Sequence, residues 1–253
     1  MSNSQGMHSP VEQFEIKPLV ELTLGGYDVS FTNSSLFMLL ALGVSSLFLV
    51  SAMRRRAMVP GRMQSLAEMM YEFVAEMVRS NVGNEGRPYF PFIFTLFVFL
   101  LFGNMLGLIP YSYTFTSQII VTFAMAAFVF VGVTLIALLK HGLHFFSFFV
   151  PAGAPKVLIP FLIVIEVISY FVRPVSLSVR LFANMLAGHT MLKVFAGLAV
   201  MISGAGGLAM AGSVLPFAAL IGLTGLEVLV AALQAYVFTI LTCMYLNDAL
   251  HLH

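Results

Sequence analysis

The sequence predicts an all-α polytopic membrane protein. It has five membrane-crossing helices plus one in-plane amphipathic helix, the last two crossing helices being long, strongly tilted and folded into an antiparallel hairpin. Three observations predict this. The 253 residues are 60% hydrophobic and only 9% charged. Mean hydropathy is +0.98, and it comes from several separate apolar runs rather than one core. Lys and Arg gather in alternate connections, the bias expected of cytoplasmic loops.

Residues 1–253 read as a single membrane domain. Residues 1–30 are a polar, acidic tail (Glu12, Glu15, Glu21, Asp28) without a basic stretch leading into an apolar one, so they are not a signal peptide. Leu36–Met53 is apolar for long enough to span once, and Arg54, Arg55 and Arg56 follow as a cytoplasmic anchor. Pro60 and Gly61 break the chain. Arg62–Ser80 then repeats Met63, Leu66, Met69, Met70, Phe73, Met77 and Val78 at helical spacing, with Glu68, Glu72 and Glu76 on another face. Three acids on one face do not sit in lipid, so this helix lies along the cytoplasmic surface. Its acidic face is either solvated or a docking face for another subunit.

Tyr89–Ile109 and Ile119–Leu139 are two further spans. The uncharged link Pro110–Ser117 joins them, and Lys140 and Lys156 flank the next connection. Val157–Val200 is one helical pattern of about 66 Å, against a hydrocarbon core of about 30 Å. It either breaks near Pro174 or crosses at a steep tilt. After a Gly-rich break at Ser203–Gly207, Val214–Leu250 poses the same length problem. With the N-terminus outside and Arg62–Ser80 in the plane, every basic connection and the C-terminus face the cytoplasm. If Arg62–Ser80 spanned, Lys140 and Lys156 would be thrown outside.

The last two helices carry the polar residues that matter. Folded back at about residue 208, they place residues of equal count from the turn at equal depth. His189 meets Glu227 toward the outside, Arg180 meets Gln234 near the middle, and Glu166 meets Asp248 toward the cytoplasm. At 100° per residue, Arg173, Ser176, Arg180 and Asn184 share one stripe, and His189 points half a turn away. A membrane-embedded arginine costs about 3 kcal/mol on insertion scales. No acid of this chain lies at the depth of Arg180: either its counter-charge is a carboxylate on another subunit, or it is a snorkelling or purely structural arginine. Histidine is the side chain that ordinarily titrates near neutrality, so His189 and a carboxyl at its depth either exchange a proton or form a static buried ion pair. Glu166, Asp248, His251 and His253 sit near the cytoplasmic end, where they either form a second proton path or are simply solvated; His141 and His144 sit in a connection and carry no assigned chemistry.

These residues also carry a resemblance. RLFANMLAGH at Arg180–His189, preceded by PVSLSV and by Glu166, resembles subunit a of the membrane sector of F-type ATP synthases. FGNMLGLIPYSYTFTS at Phe102–Ser117 and EVLVAALQAYVFTIL at Glu227–Leu241, with its E-x6-Q spacing, are similar to the same family. The His189/Glu227 order resembles alphaproteobacterial and mitochondrial members; other bacterial members exchange the acid and the histidine.

The resemblance implies a stator proton-channel subunit without catalytic activity of its own. Arg180 would be the essential arginine facing a rotating ring of c subunits, steadied by Gln234. His189, Glu227 and Asn184 would line an outer half-channel. Glu166, Ser176, Asp248 and Arg173 would belong to a cytoplasmic one. Implied partners are the c-ring, the peripheral stalk b subunits and the rest of the complex, in a bacterial inner membrane with the N-terminus periplasmic; a mitochondrial inner membrane is the alternative location.

Two other classes frame that reading. A self-contained transporter needs inverted repeats or a midplane site made within the chain; the sequence shows no such repeat, and Arg180 lacks an internal counter-ion. A quinone-linked respiratory subunit would purify with a quinone or an electron-transfer partner. The net charge of +1 argues against a nucleic-acid partner. The single cysteine, Cys243, excludes an intrachain disulfide or a multi-cysteine metal site. No nucleotide-binding loop or nucleophile triad is present, and no cofactor is expected.

Overall fold

The structure is a computed structural model, and it describes residues 15–21, 23–24, 27–28, 30–54, 57–109, 112–149, 158–204 and 212–251. Arg55, Arg56, Lys156, His253, residues 1–14 and most of the Gly-rich break lie outside the described residues.

Among the described residues, six α-helices build the protein. They are α1 (Asn33–Met53), α2 (Arg62–Val82), α3 (Phe90–Gly107), α4 (Ile119–His141), α5 (Ile159–Gly204) and α6 (Val214–Leu250). Among the described residues, five apolar segments are long enough to cross a membrane, and α2 and α3 together supply one of them. The helices α1, α3, α4, α5 and α6 match the five predicted spans within a few residues of their expected ends. Ahead of the helices, the described residues of 18–32 add four short strands that sequence reading did not anticipate: β1 (Pro18–Val20) pairs antiparallel with β4 (Phe31–Thr32), and β2 (Thr23–Leu24) pairs antiparallel with β3 (Tyr27–Asp28). None is longer than three residues, too short to leave an alternating pattern in the sequence.

Local chemistry sets the helix ends. Thr32 caps α1, its hydroxyl accepting from the Ser35 amide at 3.4 Å. Gly83 ends α2 and Gly142 ends α4. Their φ values of 75° and 57° suit only glycine without strain. Pro174 lies inside α5, which nevertheless runs unbroken for 46 residues. At 1.5 Å per residue that is about 69 Å, so of the two expected alternatives the break at Pro174 is the one not seen.

The core lies where α6 packs on α5 and α3 and where α5 packs on α4. Phe238, Ile93, Leu100, Leu181 and Met185 are fully buried there. On α2, Val74, Met77 and Val78 turn inward. Met63, Leu66, Met69 and Phe73 stay exposed on an apolar flank, and Glu72 and Glu76 are also exposed. One end of the bundle gathers the α2–α3 turn, the end of α4 and the end of α6: Lys140 Nζ donates to Glu85 and, at 3.1 Å, to the Leu250 carbonyl. Lys140 holds the Glu85 carboxyl below the usual carboxylate range, first by that hydrogen bond and then by its charge. The other end gathers the tail, the α3–α4 link and the ends of α5 and α6 that flank the Gly-rich break.

Candidate functional site

α5 divides its residues between two sides. Leu177, Ser178, Leu181 and Met185 are buried against the bundle, four-residue steps that continue to His189. Half a turn away, Ser176, Arg180 and Asn184 are exposed. They share that side with Val172, Val175, Val179 and Met191, all exposed as well. Arg180 is therefore an exposed cation on a largely apolar side of α5, and no hydrogen bond or ion pair engages it among the described residues.

His189 and Glu227 meet as the residue count predicts. The imidazole Nδ1 lies 3.6 Å from Glu227 Oε1, with side chains 11% and 3% exposed. Neither Glu227 oxygen has a hydrogen-bond partner among the described residues. Gly188 makes room for this carboxyl: a Cβ there would stand 2.7 Å from Oε1. The other imidazole nitrogen, Nε2, is 2.9 Å from the hydroxyl of Thr114 in the α3–α4 link. A cavity of about 760 Å³ opens from His189 toward the tail, lined also by Lys193, Tyr113, Thr224, Lys17 and Glu15. Asn104 pins α3 to α6 just below, its amide donating to the Ala231 carbonyl at 3.1 Å and its Oδ1 accepting from Thr116 at 2.9 Å.

The opposite end departs from the expected pairing. Asp248 does not meet Glu166; it accepts from Arg173 Nη1 at 2.8 Å. Two carboxylates at one level repel, whereas Arg173, seven residues further along α5, supplies the opposite charge on a long side chain. Its guanidinium is held between two rings, 5.5 Å from the Tyr170 centroid and 5.3 Å from that of Tyr245. A pocket of about 20 Å³ beside this cluster has room for about one water. Arg173 is thus half-buried, away from the exposed stripe assigned to it. Glu166 is half-buried with no hydrogen bond or ion pair among the described residues. Gln234 is buried on α6, and no hydrogen bond joins it to Arg180 among the described residues.

Sequence reasoning missed Thr114, Gly188, Asn104 and the Tyr170–Tyr245 sandwich. Asn104 and Thr114 both lie within the Phe102–Ser117 motif, which was the available signal.

The comparison with known families decides the class of this constellation. The ATP synthase A chain family matches residues 35–247. The chain belongs to that family. An ATP synthase subunit a from Rhodospirillum rubrum is 60% identical over 247 residues, covering 98% of this chain and all of the relative. Subunits a from Parvibaculum lavamentivorans (56% over 242 residues, 96% and 93% covered) and Agrobacterium fabrum (53% over 244 residues, 96% and 98% covered) are similar throughout. Membership makes the chain a non-catalytic, proton-translocating membrane subunit of an ATP synthase, in keeping with its apolar helices.

Proposed function

We propose that this chain is the stator half of a rotary proton motor. Arg180 faces the membrane carboxylates of a rotating c-ring, and two aqueous half-channels reach that face from opposite sides. The observation that carries the reading is Arg180 itself: an exposed cation on an apolar face, without an ion-pair partner among the described residues. Lipid alone would make it costly; a passing carboxylate turns the cost into attraction. At about 4 Å and an effective dielectric near 20 that attraction is roughly 4 kcal/mol, about three orders of magnitude in an equilibrium constant. It releases the proton that the carboxylate brought. The guanidinium keeps its own proton, so it bars direct leakage between the half-channels.

The outer half-channel is the cavity leading to His189, and Glu227 hands protons on toward Asn184 and the rotor face. On the cytoplasmic side Glu166, Ser176 and Asp248 serve the second path. Arg173 acts there as a fixed charge that orients Asp248. Gln234 gives Arg180 polar surroundings at its own depth. α2 lies in the cytoplasmic membrane surface. Its exposed acids and apolar flank, with α1, meet the peripheral stalk b subunits. The N-terminus is periplasmic, the C-terminus cytoplasmic, and the membrane is a bacterial inner membrane. Each charge carried through the field contributes about 2.3 kcal/mol per 100 mV.

The test is ATP-driven proton pumping in inverted vesicles carrying Arg180→Ala, with complex assembly measured in the same membranes. Loss of pumping with assembly intact is expected. Pumping at the wild-type rate overturns the two-channel reading.

A further inference from the structure

Thr114 is a residue to which the reading above gives no role, and its geometry points to one. Its hydroxyl is buried at the end of α3 and has two contacts: the Gly107 carbonyl at 3.1 Å and His189 Nε2 at 2.9 Å. A threonine hydroxyl carries a single proton. Gly107 O has no hydrogen and can only accept, so both contacts are hydrogen bonds only if Thr114 donates to Gly107 and accepts from Nε2–H. The alternative, a hydroxyl donating to Nε2, gives up the Gly107 bond. The neutral imidazole then carries its proton on Nε2 and turns the Nδ1 lone pair toward Glu227 Oε1, 3.6 Å away.

We propose that Thr114 is a positioning residue that sets the tautomer of His189, so that Nδ1 is the nitrogen exchanging protons with Glu227. This rests on His189 and Glu227 being proton carriers. In the pumping direction the carboxyl O–H of Glu227 gives its proton to the Nδ1 lone pair, leaving a carboxylate and an imidazolium. The imidazolium then releases the Nδ1 proton to water in the outer cavity and returns to the Nε2–H form. Throughout, Nε2–H stays bonded to Thr114, so the ring need not turn between transfers.

The local packing fits a residue that must not drift. A Cβ on Gly107 would lie 2.5 Å from Thr114 Oγ1, so the hydroxyl rests directly on the backbone of α3. Ser112 caps the same carbonyl independently, donating at 2.9 Å. The helix end therefore keeps one cap when Thr114 loses its hydroxyl, which separates capping from the proposed role.

The experiment uses the assembled complex in inverted vesicles, with Thr114→Val, Thr114→Ser and Ser112→Ala. Thr114→Val keeps the shape and removes the hydroxyl. Pumping should fall about tenfold, the scale of one lost hydrogen bond in the transfer step. Thr114→Ser should restore most of it, and Ser112→Ala should pump normally. Thr114→Val pumping at the wild-type rate overturns the proposal, as does a Ser112→Ala defect equal to that of Thr114→Val. A measurement on the unmutated complex covers a Thr114→Val that does not assemble. In nitrogen-15 histidine spectra, with the His189 signal assigned by its loss in His189→Gln, the neutral ring should carry its proton on Nε2. A proton on Nδ1 overturns the proposal. Wild-type pumping by His189→Gln and Glu227→Gln would instead refute the carrier reading beneath it.

Discussion

Gly188→Ala probes the space reserved for Glu227. The added Cβ would stand 2.7 Å from Glu227 Oε1, 3.1 Å from Cδ and 3.3 Å from Cγ. To reach ordinary contact the carboxyl must retreat by roughly 0.7 Å, away from α5 and therefore from His189, which already stands 3.6 Å off. Overpacking of this size costs about 1–3 kcal/mol, and a misplacement near 1 Å at a reacting centre can cost about a hundredfold in rate. ATP-driven pumping should therefore fall between tenfold and a hundredfold while the complex still assembles on native gels. Adding Glu227→Asp, one methylene shorter, should recover part of the loss, although Glu227→Asp alone impairs pumping. Gly188→Ala vesicles that pump at the wild-type rate would refute the reasoning, because the carboxyl would then not need its place beside His189.

Other expectations follow from the same geometry. Arg173→Ala should lower the stability of the assembled complex to heat by about 2 kcal/mol, the sum of a partly exposed ion pair and two ring contacts. Arg173→Lys should fall between the two, because it keeps the charge but stacks less well; thermal unfolding of the purified complex reads both. Gly103→Ala would bring a Cβ within 2.4 Å of the Phe115 ring and should destabilise the α3–α4 link by about 1–3 kcal/mol; Phe115→Leu in the same chain should restore thermal stability. Glu85 has its folded pKa depressed by Lys140, so its contribution to stability is present above the ordinary Glu value and is lost as pH falls through the folded one. A carbon-13 titration of Glu85 in the complex should show a midpoint below the ordinary value, moving up in Lys140→Gln.

The two faces of α5 were legible because they follow from helical geometry alone. Nine residues separate Arg180 from His189, and that spacing forces opposite sides whatever the tertiary structure. His189 and Glu227 were legible for a related reason: two helices with equal rise and a short connection keep their count. The same count failed at Asp248. It treats side chains as points on an axis, while an arginine reaches several residues along its helix to find a charge. Thr114 was not legible, because its importance comes from a link that folds back onto the end of α3. Gly188 was hidden differently. In a sequence rich in small residues a glycine leaves no sign that a carboxyl from another helix needs its space. The strands of residues 18–32 escaped because two or three residues cannot show a period.

The unbroken course of α5 has a mechanical consequence. Arg180 and His189 stand on opposite sides of one shaft, so a roll of that shaft about its axis carries them in opposite directions. Any sideways displacement of the arginine by such a roll would be matched by a contrary displacement of the imidazole against Glu227. Arg173 resists such a roll at one end, because its ion pair with Asp248 and its contact with the Tyr245 ring tie α5 to α6.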